Sequence, residues 1–214
     1  MQAKIHAQIA LRVGVDYLFG MKDWFSLNVV TLTHSPSHPT VKNILKILCN
    51  QLESRNVSCD KISLMDFSPI TDHLFIGTTP SSIDYDHLRQ LGVGLIINMR
   101  VESRPRKVPD TAPLRLLWLP TFDSPLVPIP IKSLIRGTVA ALETIQSGGK
   151  VYAHCAGGRH RGVTMGAAIL IAQGFDPHTA MTLIKQRRPI ADPFVFYIRP
   201  RILKFAREWT MKTL

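Results

Sequence analysis

The stretch Val151-Tyr152-Ala153-His154-Cys155-Ala156-Gly157-Gly158-Arg159-His160-Arg161-Gly162 restricts the fold more than any other part of the chain. Val151 to Ala153 read as a short buried strand that ends in His154-Cys155, and two glycines break it. Behind Arg161 the apolar run Val163 to Ala172 has the length of a buried helix. A strand, a tight loop and a helix N-terminus in that order can turn backbone amides toward one centre, to which the helix adds the positive end of its dipole. A phosphate fits such a centre. Gly157 and Gly158 are expected to supply the positive φ angles and close backbone approach of the cradle. Cys155 falls at its base, in the kind of electropositive setting that lowers a thiol pKa from about 8.5 to about 3.5–7.5. Arg161 offers a planar fork that binds two phosphoryl oxygens at once, which a lysine does not match.

His154-Cys155, five residues and then Arg161, with Gly158 three places after the cysteine, resembles the signature of the cysteine-based protein tyrosine phosphatase superfamily, on its dual-specificity branch. Leu74-Phe75-Ile76-Gly77, Leu88 with Leu91-Gly92-Val93, and Ile96-Ile97-Asn98-Met99 also resemble the opening of dual-specificity phosphatases, so the likeness extends over roughly residues 70–210. The resemblance implies that Cys155 attacks phosphorus to form a phosphocysteine and that Arg161 binds the equatorial oxygens. The backbone of Ala156, Gly157, Gly158, Arg159, His160 and Arg161 would cradle the anion, and His154 would tune the thiolate from behind. It implies no metal and no cofactor.

Cleaving a phosphate ester requires a proton for the leaving oxygen, and a carboxylic acid beside the cradle can deliver it. Asp123 is the only carboxylate between Asp110 and Glu143, on a loop stiffened by prolines at 120, 125, 128 and 130. The resemblance places the general acid on such a loop a few tens of residues before the cysteine, and Asp123 precedes Cys155 by 32. The plainer reading of Asp123 is a turn cap beside Ser124 and Pro125.

Three features depart from or refine the pattern. Where the family usually has Ser or Thr after the arginine, to stabilise the departing thiolate, this chain has Gly162; the nearest hydroxyl is Thr164. Arg159 and His160 make the loop unusually basic, as in phosphoinositide-directed members, although His160 is expected to point to solvent. Glu102 and Arg104 resemble a Glu-x-Arg segment of the phosphatidylglycerophosphate phosphatase branch, and Glu102 is a candidate to orient Arg161 by a carboxylate–guanidinium pair.

The 26 Lys and Arg exceed the 15 Asp and Glu by 11, and from Lys185 to Arg207 Asp192 is the one acid among the bases. Such a surplus suits a solvated basic face, a polyanion or an anionic membrane surface. Cys49, Cys59 and Cys155 cannot all pair within the chain, which suits a reducing, cytoplasmic compartment. Lys4, Arg12 and Asp16 interrupt the N-terminal apolar residues, so a signal peptide is not expected. No apolar run approaches the ~18 residues of a membrane span, leaving a soluble protein that can lie against a membrane.

Residues 1–60 are expected to form a helical extension of unstated role: a helix over 1–19, an extended run over 24–33, and an amphipathic helix with Val41, Ile44, Leu45, Leu48, Cys49 and Leu52 on one stripe. Residues 61–214 alternate short apolar runs with helical stretches, which predicts an α/β catalytic domain: about five strands in a mostly parallel sheet, helices on both faces, the site at the strands' C-terminal ends. Expected strands are 62–67, 74–76, 95–99, 114–119 and 150–153; expected helices are 84–91, 131–145, 163–172, 176–187 and 200–209. The function expected is a cysteine-dependent phosphomonoesterase acting on a phosphorylated protein or a phospholipid head group. An inositol phosphate or an RNA 5′ end remains possible as substrate. The alternative is a catalytically weak phosphate-binding module.

Overall fold

The structure, a computed structural model, describes residues 65–81, 84–104 and 114–213. The architecture below is that of the unit Met65–Leu214. The helices and extended run expected within residues 1–60 lie outside the described residues.

Strands β1 (Phe67–Pro69), β2 (Leu74–Gly77), β3 (Val93–Arg100), β4 (Arg115–Thr121) and β5 (Lys150–His154) form one sheet in the order β1-β2-β5-β3-β4. Only β1 runs antiparallel; β2 pairs with β5, β5 with β3 and β3 with β4 in parallel. The helices are α1 (Asp84–Gln90), α2 (Ile131–Gln146), α3 (Arg161–Ala172), α4 (Pro177–Arg187) and α5 (Arg199–Thr213).

Side-chain alternation divides the sheet into two faces. Leu74, Ile76, Leu95, Ile97, Met99, Val151 and Ala153 are buried in the larger core, with side chains of α2, α3, α4 and α5. Phe75, Ile96 and Tyr152 point the other way, onto Leu88 of the short α1. A strand buried on both faces reads as a continuous apolar run, which is why β3 was recognisable from Leu95 to Met99.

Boundaries shift for physical reasons. The strand expected to end at Leu119 continues through Pro120 to Thr121, because β4 is an edge strand and a proline there costs no interior ladder bond. The described part of the first strand is Phe67–Pro69, beginning where the expected one ends. Asp176 caps α4 by accepting from the amides of His178 at 2.9 Å and Thr179 at 3.2 Å, with Pro177 in the first turn. Gly148, at φ +79°, helps turn the chain out of α2 toward β5.

β2 and β5 end side by side, and little room is left there. A Cβ on Gly77 would lie 2.6 Å from Phe67 Cβ and 2.7 Å from the Asp66 carbonyl, and would strike the Tyr152 hydroxyl. Gly77→Ala is therefore expected to cost about 1–3 kcal/mol through overpacking. The measurement is a urea titration, in which the midpoint falls at unchanged slope; an unaltered midpoint would refute this account of the packing.

Candidate active site

β5 delivers Cys155 to the C-terminal edge of the sheet, where the chain loops through Ala156–His160 and enters α3 at Arg161. The loop's shape is set by where its carbonyls point. Cys155 O accepts from Thr79 Oγ1 at 3.1 Å, Gly157 O and Gly158 O from Arg188 at 3.4 and 2.9 Å, and Arg159 O from the Asp192 amide at 2.9 Å. His160 O accepts from the Thr164 amide at 2.8 Å and from Thr164 Oγ1 at 2.9 Å. All of these oxygens are tied to surrounding elements. In a trans peptide the following N–H points the opposite way, so the amides of Ala156, Gly158, Arg159, His160 and Arg161 are directed away from those anchors. Amides so arranged at a helix N-terminus make an anion cradle.

The two glycines contribute unequally, a correction to the expectation that both adopt positive φ. Only Gly158 does, at +61°, and a Cβ there would come within 2.6 Å of Arg188 Nη2 and 2.8 Å of Gly77 O. At Gly157 a Cβ would meet nothing nearer than Arg159 Cγ at 3.9 Å. Gly162 is set by close approach instead: its Cβ would lie 3.2 Å from the backbone of His154.

Arg161 is 4% exposed. Its Nη1 donates to Glu102 Oε2 at 2.9 Å and to Thr121 O at 3.1 Å, and its Nη2 donates to Glu102 Oε1 at 3.0 Å. The fork's outer end is thereby held. Nε is buried without a hydrogen-bond partner, 3.6 Å from Asp123 Oδ2, so the edge formed by Nε and the second Nη2 hydrogen is the one left for an oxyanion. Burial works against the Arg161 charge, but the Glu102 hydrogen bonds and the negative charge of Cys155, Glu102 and Asp123 push its pKa above the ordinary value. Glu102 falls to about 2, chiefly through its hydrogen bonds to Arg161, against the effect of its own burial. Asn98 delivers Glu102 to this position: its amide accepts from the Arg100 amide at 2.8 Å and donates to Ser103 O at 2.9 Å, shaping the turn after β3. Arg104 lies over the Trp118 ring, 5.4 Å from its centroid.

Cys155 is 1% exposed and is a free thiol. His154 behind it stacks on Tyr152 with centroids 5.7 Å apart, and its Nδ1 is buried without a hydrogen-bond partner. Burial drives the His154 pKa down to about 4, opposed by the Cys155 backbone and aided by Arg100 and Arg161, so the ring is neutral near pH 7. Asp123 stands at the cradle's rim, accepting from Tyr197 Oη at 2.9 Å, with His160 Nδ1 3.2 Å away. His160, expected to face solvent, is instead held between Asp123 and Tyr197. The Arg159 side chain is exposed beside it.

Sequence reading missed Arg188, Asp66 and Tyr197. Arg188 lies in the basic stretch whose charge suited a solvated face, a polyanion or a membrane surface, yet it is 1% exposed, and its guanidinium donates to Asp66 Oδ1 at 3.1 Å and Oδ2 at 3.0 Å as well as to the loop. Nothing local marks a partner this far along the chain. Among the described residues no group of three or more His, Cys, Asp or Glu could hold a metal ion, and no helix is long and apolar enough to cross a membrane.

Residues 73–175 match a family model described as "Polymorphic toxin system, DSP-PTPase phosphatase". Among solved structures the chain is similar to PTPMT1, with 25% identity and a TM-score of 0.61 over 69% of this chain and 98% of that one. It is also similar to human DUSP28, with 22% identity and a TM-score of 0.58 over 67% of this chain and 95% of that one. A third is the human tyrosine phosphatase-like serine/threonine/tyrosine-interacting protein, with 22% identity and a TM-score of 0.57 over 67% of this chain and 97% of that one. Comparison with curated protein sequences gives no match.

Two outcomes follow from this geometry. Lysine at 188 retains the charge but cannot span Asp66 and two carbonyls, so Arg188→Lys is expected to weaken vanadate binding by about tenfold or more; equal affinity in a folded variant would contradict the anchoring. The His154 ring has a folded pKa of about 4 against an ordinary 6.5, so the unfolded chain takes up the proton first. Its contribution is complete above pH 6.5 and is lost as the pH falls toward 4. A buried His154→Gln variant should therefore lose less thermal stability than the wild type over that interval.

Proposed function

Because the chain belongs to the dual-specificity branch of the cysteine-based protein tyrosine phosphatase superfamily, we propose that it hydrolyses phosphomonoesters through a phosphocysteine intermediate. In this reading the Cys155 thiolate attacks phosphorus while Asp123 gives its proton to the leaving oxygen, and the alcohol departs. Water, deprotonated by the Asp123 carboxylate, then attacks the phosphocysteine and releases phosphate and the thiolate. The cradle amides and the open edge of Arg161 carry the equatorial oxygens; no metal or cofactor takes part. The observation that supports this most is the outward anchoring of the loop carbonyls around a buried Cys155, with Arg161 fixed at one end by Glu102 and open along its Nε edge.

The substrate we propose is a phospholipid or phosphoinositide head group in preference to a phosphoprotein. Phe122 is 53% exposed, Leu126 88% and Phe196 74%. Phe122 and Phe196 line a shallow cavity of about 310 Å³ with Tyr197, the residue bound to Asp123. Exposed apolar side chains beside Asp123, with the exposed cation Arg159 on the loop itself, suit an anionic, amphiphilic surface. A structure of the similar PTPMT1 is in complex with PI(5)P.

One observation favours a second reading, a phosphate-binding module that turns over little. Gly162 brings no hydroxyl to the cysteine, and the Thr164 hydroxyl is spent on His160 O. The missing hydroxyl bears on thiolate departure, so the same observation predicts slow hydrolysis of the intermediate in an active enzyme.

An aryl phosphate assay separates the two readings. With wild type, a pre-steady-state burst of phenol close to one equivalent should precede a slow linear phase, whereas a binding module gives neither. Cys155→Ser should abolish turnover yet retain vanadate-sensitive phosphate binding; residual burst in that variant would exclude Cys155 as nucleophile. On substrates, vesicles containing a phosphoinositide should be hydrolysed at least about tenfold faster than a phosphotyrosine peptide. The reverse order would reject the lipid assignment.

A further inference from the structure

Asp123, His160 and Tyr197 come from the loop after β4, the cradle itself and the turn before α5, and they meet in one cluster. Tyr197 Oη donates to Asp123 Oδ1 at 2.9 Å, and His160 Nδ1 lies 3.2 Å from that oxygen and 3.0 Å from Tyr197 Oη. The Tyr197 ring is braced on both sides, edge-on to His160 with centroids 5.5 Å apart and to Phe196 with centroids 5.3 Å apart. Burial first, and then its hydrogen bond to Asp123, push the Tyr197 phenol up to about 12, so it remains a donor throughout the working pH range.

A carboxylic acid on a loop has torsional freedom that dilutes proton delivery, and fixing its direction raises the effective concentration of the reacting group. We propose that Tyr197 is the positioning residue that aims Asp123 at the leaving oxygen, with the His160 ring as the second wall of the same socket. The inference rests on Asp123 being the general acid. The alternative is a structural tie between the proline-rich loop and the start of α5. That tie exists independently, since Arg201 Nε and Nη2 both donate to Ile129 O, at 3.0 and 2.6 Å. Removing the phenol oxygen therefore leaves the two segments joined.

The test is kcat/KM on two aryl phosphates, phenyl phosphate, whose leaving oxygen needs a proton, and para-nitrophenyl phosphate, whose leaving oxygen departs nearly unaided. Tyr197→Phe should lose about tenfold with phenyl phosphate and much less with the nitrophenyl ester, while vanadate inhibition stays within about twofold. Asp123→Asn should have the same leaving-group bias, larger in size. If Asp123→Asn loses activity without that bias, the acid assignment fails and the role of Tyr197 fails with it. If Asp123→Asn has the bias but Tyr197→Phe loses both substrates equally, or neither, the positioning role alone is overturned. A wild type inert toward both esters rejects the hydrolase reading and this inference together.

Discussion

One buried guanidinium decides whether there is a cradle at all. Arg188 sits where α4 ends, 1% exposed, with a carboxylate on one side and two loop carbonyls on the other. Taking a charge out of water costs several kcal/mol unless oxygens surround it, so this arrangement is stable only when Asp66 and the loop are both in place. The dependence runs in both directions. The loop needs the cation to hold its peptide planes, and the cation needs the loop to complete its coordination. Gly158 at φ +61° is the geometric counterpart, because a side chain there would occupy the space the guanidinium fills.

A second guanidinium is held by the same logic with the opposite result. Arg161 is satisfied by Glu102 and Thr121 O only at its outer end, so its inner edge stays available. The site thus contains one arginine whose donors are consumed by structure and one whose donors are partly reserved. His154, buried and neutral near pH 7, adds no positive charge beneath the cysteine. The groups that can place positive potential near the sulfur are the loop amides, the N-terminus of α3 and Arg161.

How much of this was legible in the sequence follows the distance along the chain over which each feature is determined. The cradle is contiguous from Cys155 to Arg161, so residue types and spacing marked it. The sheet was readable for a related reason, since β3 and β5 are buried on both faces and so contain the apolar runs Leu95 to Ile97 and Val151 to Ala153. Asp66 and Arg188 meet across 122 positions, and Tyr197 reaches Asp123 across 74; no local pattern encodes either pairing. His160 was misread because a histidine in a glycine-rich loop has no local reason to be covered; Asp123 and the turn before α5, both brought over by the fold, cover it. Equal weight on Gly157 and Gly158 was wrong for the same reason, since what distinguishes them is the approach of Arg188, just past α4, and of the Gly77 carbonyl.

The tight seat of Gly162 against the backbone of His154 bears on how this chain can change. A serine there would place its Cβ 3.2 Å from two backbone atoms of a central strand, so α3 would have to retreat by a few tenths of an ångström. The hydroxyl missing from the loop therefore comes with a local displacement of helix against strand. Acquiring it requires the first turn of α3 and the end of β5 to part slightly, so the hydroxyl would come at the expense of the close helix–strand contact that seats the loop.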